Sequence, residues 1–404
     1  MSSFNDAESV TSRRTQSAMT AAAGVFRFLM RQPDLTHPDA CDFLAGNPQE
    51  MAMPEYVRTI QRALEPDSPS YYAYGRPWPG AIESVAAALS DRLELKLDPD
   101  DVFLTRGAAS GLFLALRTVI DPGDEVIAFS PPWSFYEAMV LGESAHMVRV
   151  PLSEEKFDLD VGGVAQALTP RTRAVIINTP HNPSGRVYPE DQLRELAGVL
   201  ESASQRNGRR IYLLSDEAYA RILFDGRRMV TPARYYAATF MLHSYSKTLL
   251  APSQRAGYMA MPPTMPAREK LRFALMAGSL GAGVAPDTAM QRAMPELERL
   301  SIDVGALEKR RDKVVRQLRQ MGYQVASPEG TFYLFPRTPI PDAVEFCDWL
   351  AERRVYTLPG EAFERPGYFR ISLTATDAMV DRALPVFREA MQVFNRSAVQ
   401  GVVE

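Results

Sequence analysis

Between about residues 100 and 260, short apolar runs alternate with stretches of helical spacing. Four runs stand out: Asp124 to Phe129, Ala174 to Asn178, Ile211 to Leu214 and Thr239 to His243. Each is of strand length and apolar enough to be buried on both faces, the pattern of strands in a parallel sheet covered by helices. Among the helical stretches, Leu193, Leu196, Val199 and Leu200 recur at helical spacing behind Pro189, a residue suited to a first turn. A shorter run, Val102 to Leu104, leads into a buried helix over Gly111 to Ile120. Beyond residue 300 the pattern changes. Val304, Leu307, Val314, Leu318 and Met321 form one amphipathic stripe, and two short strands are predicted at Tyr323 to Val325 and Phe332 to Phe335 around the turn Pro328-Glu329-Gly330. A helix near 342–353, a strand at Tyr368 to Leu373 and a last helix capped by Thr376 complete a smaller α+β unit.

This order of elements predicts an α/β protein with a large, mainly parallel, three-layer domain at 51–300 and a smaller α+β domain at 301–404. Residues 1–50 are expected to form an arm and part of the smaller domain. A chain of 404 residues, 46% hydrophobic and 23% charged, has ample material for such a core. Its formal charge of -4 and scattered arginines give no basic patch for nucleic acid. The two cysteines, Cys41 and Cys347, lack disulfide or zinc spacing, so no metal site is expected and a reducing cytoplasm is the default. No run approaches the length of a membrane span. Ser12-Arg13-Arg14 superficially suggests a twin-arginine signal, but Gln16, Ser17, Thr20 and Arg27 interrupt any apolar segment behind it, and export is not expected.

Open parallel sheets present ligands beyond the carboxyl ends of their strands. Behind the four main runs stand Pro131-Pro132-Trp133, the segment Asn178-Thr179-Pro180-His181-Asn182-Pro183-Ser184-Gly185, Ser215-Asp216-Glu217-Ala218-Tyr219, and Ser244-Tyr245-Ser246-Lys247. One lysine, one acid, one amide and two aromatics are thereby aimed at one crevice. Of the six lysines, the other five (Lys96, Lys156, Lys270, Lys309 and Lys313) sit in charged loops or on polar helix faces. Asp216 ends an apolar strand, where a carboxylate either caps a following helix or meets a cation. Thr105-Arg106-Gly107-Ala108-Ala109-Ser110 opens the buried helix and offers free amides to an anion, although such turns also serve plain strand-to-helix packing.

S-Y-S-K with an arginine eight residues on, S-D-E-A-Y, and N-T-P-H-N-P-S-G, in that reverse order along nearly the whole chain, resemble the class I/II aminotransferases of pyridoxal-phosphate (PLP) fold type I, the aspartate-aminotransferase-like fold. The resemblance implies PLP as cofactor, bound as a Schiff base on Lys247, with Asp216 on its pyridine nitrogen. It implies Asn182 and Tyr219 on the phenolic oxygen and Trp133 on the ring face. The phosphate would fall to Gly107, Ala108, Ala109, Ser244, Ser246 and Arg255, with Tyr74 lent by the neighbour in a homodimer of shared active sites. Tyr72 is a rival for Tyr74, because the spacing to Gly80 is one residue longer than usual. Arg370, with Gly46 and Asn182, would hold the α-carboxylate of the substrate. An arginine in the apolar strand Tyr368 to Leu373 could equally make a structural salt bridge, and Trp133 and Tyr219 could be ordinary core residues.

The implied activity is transfer of the amino group of an L-amino acid to a 2-oxo acid, in amino acid metabolism. Elimination, decarboxylation or oxidative deamination on the same cofactor, as in specialised metabolism, is the alternative. A PLP-binding regulator would need a DNA-binding region that the N-terminal segment does not supply. Gly- and Ala-rich Met276 to Pro286, without a second cationic anchor, suggests a neutral or bulky substrate side chain, unless Arg76 or Arg106 supplies the charge.

Overall fold

The computed structural model describes residues 10–30 and 33–400, and the backbone alone for Leu29 and 396–400. Twelve strands are described, in chain order β1 (Cys41–Asp42), β2 (Val102–Thr105), β3 (Glu125–Ser130), β4 (His146–Pro151), β5 (Thr172–Asn178), β6 (Tyr212–Asp216), β7 (Thr239–Ser244), β8 (Gly257–Ala260), β9 (Tyr333–Leu334), β10 (Val355–Tyr356), β11 (Leu358–Pro359) and β12 (Phe369–Ser372). Seven of them form one sheet in the order β2-β8-β7-β6-β5-β3-β4. All neighbours are parallel except β8, which runs against both β7 and β2. Val126, Ile127, Val175, Ile176, Leu213, Leu214, Phe240 and Leu242 are almost wholly buried, because helices cover both faces of a parallel sheet.

Register brings the chemistry to one edge. Asn178 pairs with Asp216, Asp216 with Leu242, and Gly257 with both Ser244 and Thr105. The carboxyl ends of β2, β5, β6 and β7 therefore finish on one line, where β8 starts. Helix Ala108–Val119 follows β2 at once and packs beneath β7 and β8.

The smaller part holds an antiparallel sheet β11-β12-β9, the parallel pair β1-β10, and the helices Val304–Gln320, Ala343–Ala351 and Asp377–Gln400. Asp303 and Asp342 cap the first two through backbone N–H groups, and Thr376 accepts from Met379 at the third. Helix Arg13–Leu29, capped by Ser12, lies on helix Tyr136–Gly142 and on the turn Gly360–Phe363.

Three expectations are corrected. Tyr323 to Val325 is not a strand: the Tyr323 ring is drawn into a cluster with Phe346, Phe369 and Phe387, its hydroxyl donating to the Phe387 carbonyl at 2.8 Å. Apolar character there serves an aromatic core rather than a ladder. The buried helix begins at Ala108, three residues before the position expected, because Gly107 with φ +85° makes the turn itself. Pro189 caps its helix from outside, and the first helical residue is Glu190.

Candidate active site

Asp216 closes β6 and is not a helix cap, since turns rather than a helix follow it. Its carboxylate is buried, accepting from the Tyr136 hydroxyl at 2.6 Å and from the Ala218 N–H at 3.2 Å. Burial pushes its pKa up, against the Tyr136 and Ala218 hydrogen bonds and the charge of Lys247. The adjacent Glu217 points elsewhere, accepting from Ser215 and Thr231 hydroxyls at 2.9 and 2.7 Å. Alternation along the strand end thus gives one acid to the cleft and one to the core.

Lys247 lies in the single helical turn Tyr245–Thr248 behind β7, capped by the Ser244 hydroxyl. Its ammonium stands 5.8 Å from the Tyr219 ring centre and 5.9 Å from that of Phe332, in an aromatic wall. Trp133 meets Tyr136 edge-on at 5.3 Å, so the tryptophan and the Asp216 carboxylate share one support.

At the other end of the cleft, Gly107, Ser244, Ser246 and Arg255 converge. A Cβ at Gly107 would come within 2.9 Å of Arg255 Nη2 and 3.0 Å of Ser244 Oγ, so the glycine keeps a small polar cradle open. Arg255 Nη1 donates to Ser246 Oγ at 3.2 Å and to the Pro252 carbonyl at 2.7 Å. Ala108 and Ala109 form the first turn of the adjoining helix, whose N–H groups favour an anion.

Arg370, on β12, reaches across to both parts of the chain. Nη1 donates to Asn182 Oδ1 at 3.0 Å and Nη2 to the Leu44 carbonyl at 2.7 Å, while Nε has no partner. The guanidinium carbon lies 4.0 Å from the Tyr333 ring centre and 4.7 Å from that of Phe363. Gly46 sits beside it, and a Cβ there would fall 2.3 Å from Phe332 Cε2 and 2.8 Å from the Tyr333 hydroxyl oxygen. Asn182 is held through its N–H by Asn178 Oδ1 at 2.7 Å, and Asn178 in turn donates to the Asp216 carbonyl at 2.9 Å. With Oδ1 of Asn182 committed to Arg370, its amide NH₂ is left to donate into the cleft.

Lys247, Asp216, Tyr219, Asn182, Trp133, Gly46 and Arg370 are therefore placed around one space, with Gly107, Ala108, Ala109, Ser244, Ser246 and Arg255 at its end. Tyr74 does not join them in this chain. It is fully exposed before helix Pro79–Leu93, whereas Tyr72 ties its hydroxyl to the Leu64 carbonyl. Met276, Leu280 and Gly283 share a groove with Arg76, Arg106 and Arg272, so the segment Met276 to Pro286 does have cations beside it. Tyr136, Asn178 and Tyr333 carry no assignment from the sequence alone. Tyr136 could have been found from its place three residues after Trp133; nothing local marks Tyr333.

Lys247, Arg255 and Arg370 make no salt bridge with a carboxylate among the described residues, although most cleft-distant arginines do. Those three cations, the unpartnered Nε of Arg370 and the cradle at Gly107 call for anionic groups at two ends of the ligand, while Asp216 calls for a cation between them. A phosphate ester of a protonated pyridine, together with a carboxylate-bearing substrate, fits that pattern. No cluster of ligating side chains that could hold a metal occurs among the described residues.

His181 supports this wall as a neutral base. Its Nε2–H donates to the Pro131 carbonyl at 3.0 Å, which leaves Nδ1 to accept from the Ser184 hydroxyl at 2.7 Å. Burial pushes its pKa down to about 4. A group with a depressed folded pKa contributes its full stability above its unfolded value near 6.5 and loses it as pH falls toward 4, here about 3 kcal/mol. Urea midpoints of the wild type and His181→Asn, measured across pH 7 to 4, should converge as pH falls. A constant difference would mean the imidazole is not buried in neutral form.

Residues 39–387 match the family model for aminotransferase class I and II. Over 365 residues the chain is 31% identical to the probable aspartate/prephenate aminotransferase of Thermus aquaticus, covering 88% of this chain and 92% of that one. It is 30% identical over 359 residues to the aspartate aminotransferase of Thermotoga maritima, covering 86% and 90%. Among solved structures, an aminotransferase of Eubacterium rectale superposes with a TM-score of 0.85 at 28% identity, covering 96% of this chain and 98% of that one. The aspartate aminotransferase of Thermus thermophilus with maleate gives 0.80 at 28% identity, covering 94% and 99%. With its mainly parallel seven-stranded sheet and the match along most of its length, the chain belongs to the class I and II aminotransferases, and it is an amino-group transferase of amino acid metabolism.

Proposed function

We propose that the chain holds pyridoxal 5'-phosphate on Lys247 and moves the amino group of an L-amino acid to a 2-oxo acid. The observation that supports this most is the charge pattern of the cleft: a buried carboxylate at Asp216, and three cations that make no salt bridge with a carboxylate among the described residues. PLP, when bound, supplies an aldehyde that takes up amino groups and an electron-poor ring that accepts the electrons of a broken Cα–H bond.

Everything else falls to side chains and backbone of the cleft. Asp216 pairs with the pyridine nitrogen and keeps its proton in place, held in line by Tyr136. The Asn182 amide and the Tyr219 hydroxyl donate to the phenolic oxygen, Trp133 covers one face, and Gly107, Ala108, Ala109, Ser244, Ser246 and Arg255 grip the phosphate. Arg370 takes the α-carboxylate of the substrate in its fork, with Gly46 beside it, and so fixes which bond at Cα stands next to Lys247. With the cofactor in place, Lys247 Nζ would be the general base that takes the proton from the substrate Cα.

The same reading has residues 51–300 hold the cofactor, residues 301–404 with part of 1–50 carry the Arg370 clamp, and a cytoplasmic homodimer in which exposed Tyr74 reaches the neighbour's phosphate. Exposed Phe273, Met276 and Leu280, in a groove with Arg76 and Arg106, support such a pairing face. Among the described residues no helix is long and apolar enough to cross a membrane.

The test is a half-reaction. Holoenzyme mixed with single amino acids and no 2-oxo acid should convert its visible absorption once, in equimolar yield, with release of the matching 2-oxo acid. The relatives' names put aspartate first on that panel. Steady release of ammonia or CO₂ beyond one equivalent per site would overturn the transfer reading.

A further inference from the structure

The turn Gly360–Phe363 ends on the Phe363 ring, whose centre lies 4.7 Å from the Arg370 guanidinium carbon. Side chains around the large sheet bind that turn and its capping residue, Glu364. The Ser134 hydroxyl donates to the Ala362 carbonyl. Arg149, on the edge strand β4, donates from Nε and Nη2 to the two carboxylate oxygens of Glu364 at 2.6 and 2.8 Å, and its Nη2 also reaches Glu137 at 2.7 Å. Arg365 comes within 3.6 Å of Glu154, a weaker contact because Glu154 is exposed. Segment 133–137 thus serves two sides. Trp133 and Tyr136 meet edge-on at the cleft, whereas Ser134 and Glu137, each one position further, hold the turn and its arginine. Glu364 caps the turn at φ +57°, a left-handed conformation that glycine adopts freely, yet the position carries a side chain, and that side chain closes on Arg149.

We infer that Arg149 is a positioning residue for the substrate carboxylate: by gripping Glu364 and Glu137 together it latches the turn Gly360–Phe363 to the large sheet and keeps the Phe363 ring against the Arg370 guanidinium. The inference rests on the reading of Arg370 as the carboxylate clamp. The three charged side chains are only 34% (Arg149), 28% (Glu137) and 35% (Glu364) exposed, so their two-pronged contact is shielded from solvent more than an ordinary surface pair. One cation between two acids also sets the sign of its loss. Without Arg149, Glu137 and Glu364 converge as two like charges, and the turn is pushed away from the sheet rather than merely released. A turn that has swung out leaves one face of the Arg370 fork unsupported. Molecules in that state hold a carboxylate poorly, and the apparent affinity for amino acid falls with the fraction still in place. Saturating substrate draws the turn back, so the loss appears in KM and not in kcat.

The test compares KM and kcat of holoenzyme variants for the preferred amino acid and for the primary amine that lacks its carboxylate. Arg149→Met should raise KM for the amino acid about tenfold, with kcat and the KM for the amine within about twofold of wild type. Glu364→Gly, which the φ at that position favours, removes the latch without the repulsion and should raise the amino acid KM about threefold. The double variant Arg149→Met with Glu364→Gly should fall back to about the threefold effect of Glu364→Gly alone, because the second change removes one of the two facing acids. A general weakening of the fold would instead make the double variant worse than either single one.

An amino acid KM that is unchanged in Arg149→Met, a rise of equal size for the amine, or a double variant as impaired as Arg149→Met would overturn the inference. If Arg149→Met does not fold, Glu364→Gly decides alone: a rise confined to the amino acid supports the latch, and a wild-type KM overturns it. A wild-type amino acid KM in Arg370→Lys would instead remove the clamp itself, and the inference with it.

Discussion

Turnover of the Lys247→Ala variant is expected to fall by about three to four orders of magnitude, with loss of the visible band that borohydride bleaches in the wild type. Two separate functions disappear together: the covalent anchor and the base at Cα. Alanine is compatible with the helical turn Tyr245–Thr248, whose cap is made by Ser244, so folding should survive. Cofactor affinity should drop far less than activity, because Asp216, Arg255 and the cradle at Gly107 remain. Adding a small primary amine should restore part of the proton transfer, since the site retains its shape. A variant with more than about a tenth of wild-type turnover would show that another group is the base.

The large sheet was legible because its central strands are buried on both faces. The runs ending at Phe129, Asn178, Leu214 and His243 mark strands that the structure ends at Ser130, Asn178, Asp216 and Ser244. Each end was therefore located within two residues, and the chemistry sits on those ends. β4 left no comparable trace: as an edge strand it is mostly exposed or half-buried, and its hydropathy is mixed. β8 is only four residues long. Tyr323 to Val325 looked like a strand because aromatic residues are favoured in sheets, yet the same residues also build aromatic clusters.

Legibility of the cleft falls off with distance from the strand ends. Asp216 and Lys247 stand one or a few positions beyond a strong apolar run, so the position alone suggested them. Tyr333 follows no such run. Its meaning comes from Gly46, Tyr219 and Arg370, three residues far apart in sequence that only the completed fold brings to one ring. Tyr136 belongs to the same class, because its partner Asp216 is 80 positions away. Local pattern identifies groups that the backbone presents, whereas groups that brace them are chosen by packing between elements.

Arg370→Lys is expected to lower kcat/KM for the preferred amino acid about a hundredfold, mostly through KM. Lysine keeps the charge, so a loss of this size tests geometry rather than sign. The native guanidinium is only 6% exposed at its residue, and its plane is set by Tyr333, Phe363, Asn182 Oδ1 and the Leu44 carbonyl. An ammonium cannot satisfy those two acceptors and still present two parallel N–H bonds to a carboxylate, and a charge-assisted bidentate pair is worth about 2 to 3 kcal/mol. Freed from Arg370, Asn182 Oδ1 would lose its partner, so a smaller fall in kcat should accompany the rise in KM. The control is the primary amine obtained by removing the carboxylate from the same substrate. It should react slowly and at similar rates with both enzymes, because the clamp has nothing to hold. Equal losses for the amino acid and the amine would mean that Arg370 supports the fold of the cleft instead of binding the carboxylate. Near-equal KM values for the amino acid in variant and wild type would place the carboxylate elsewhere.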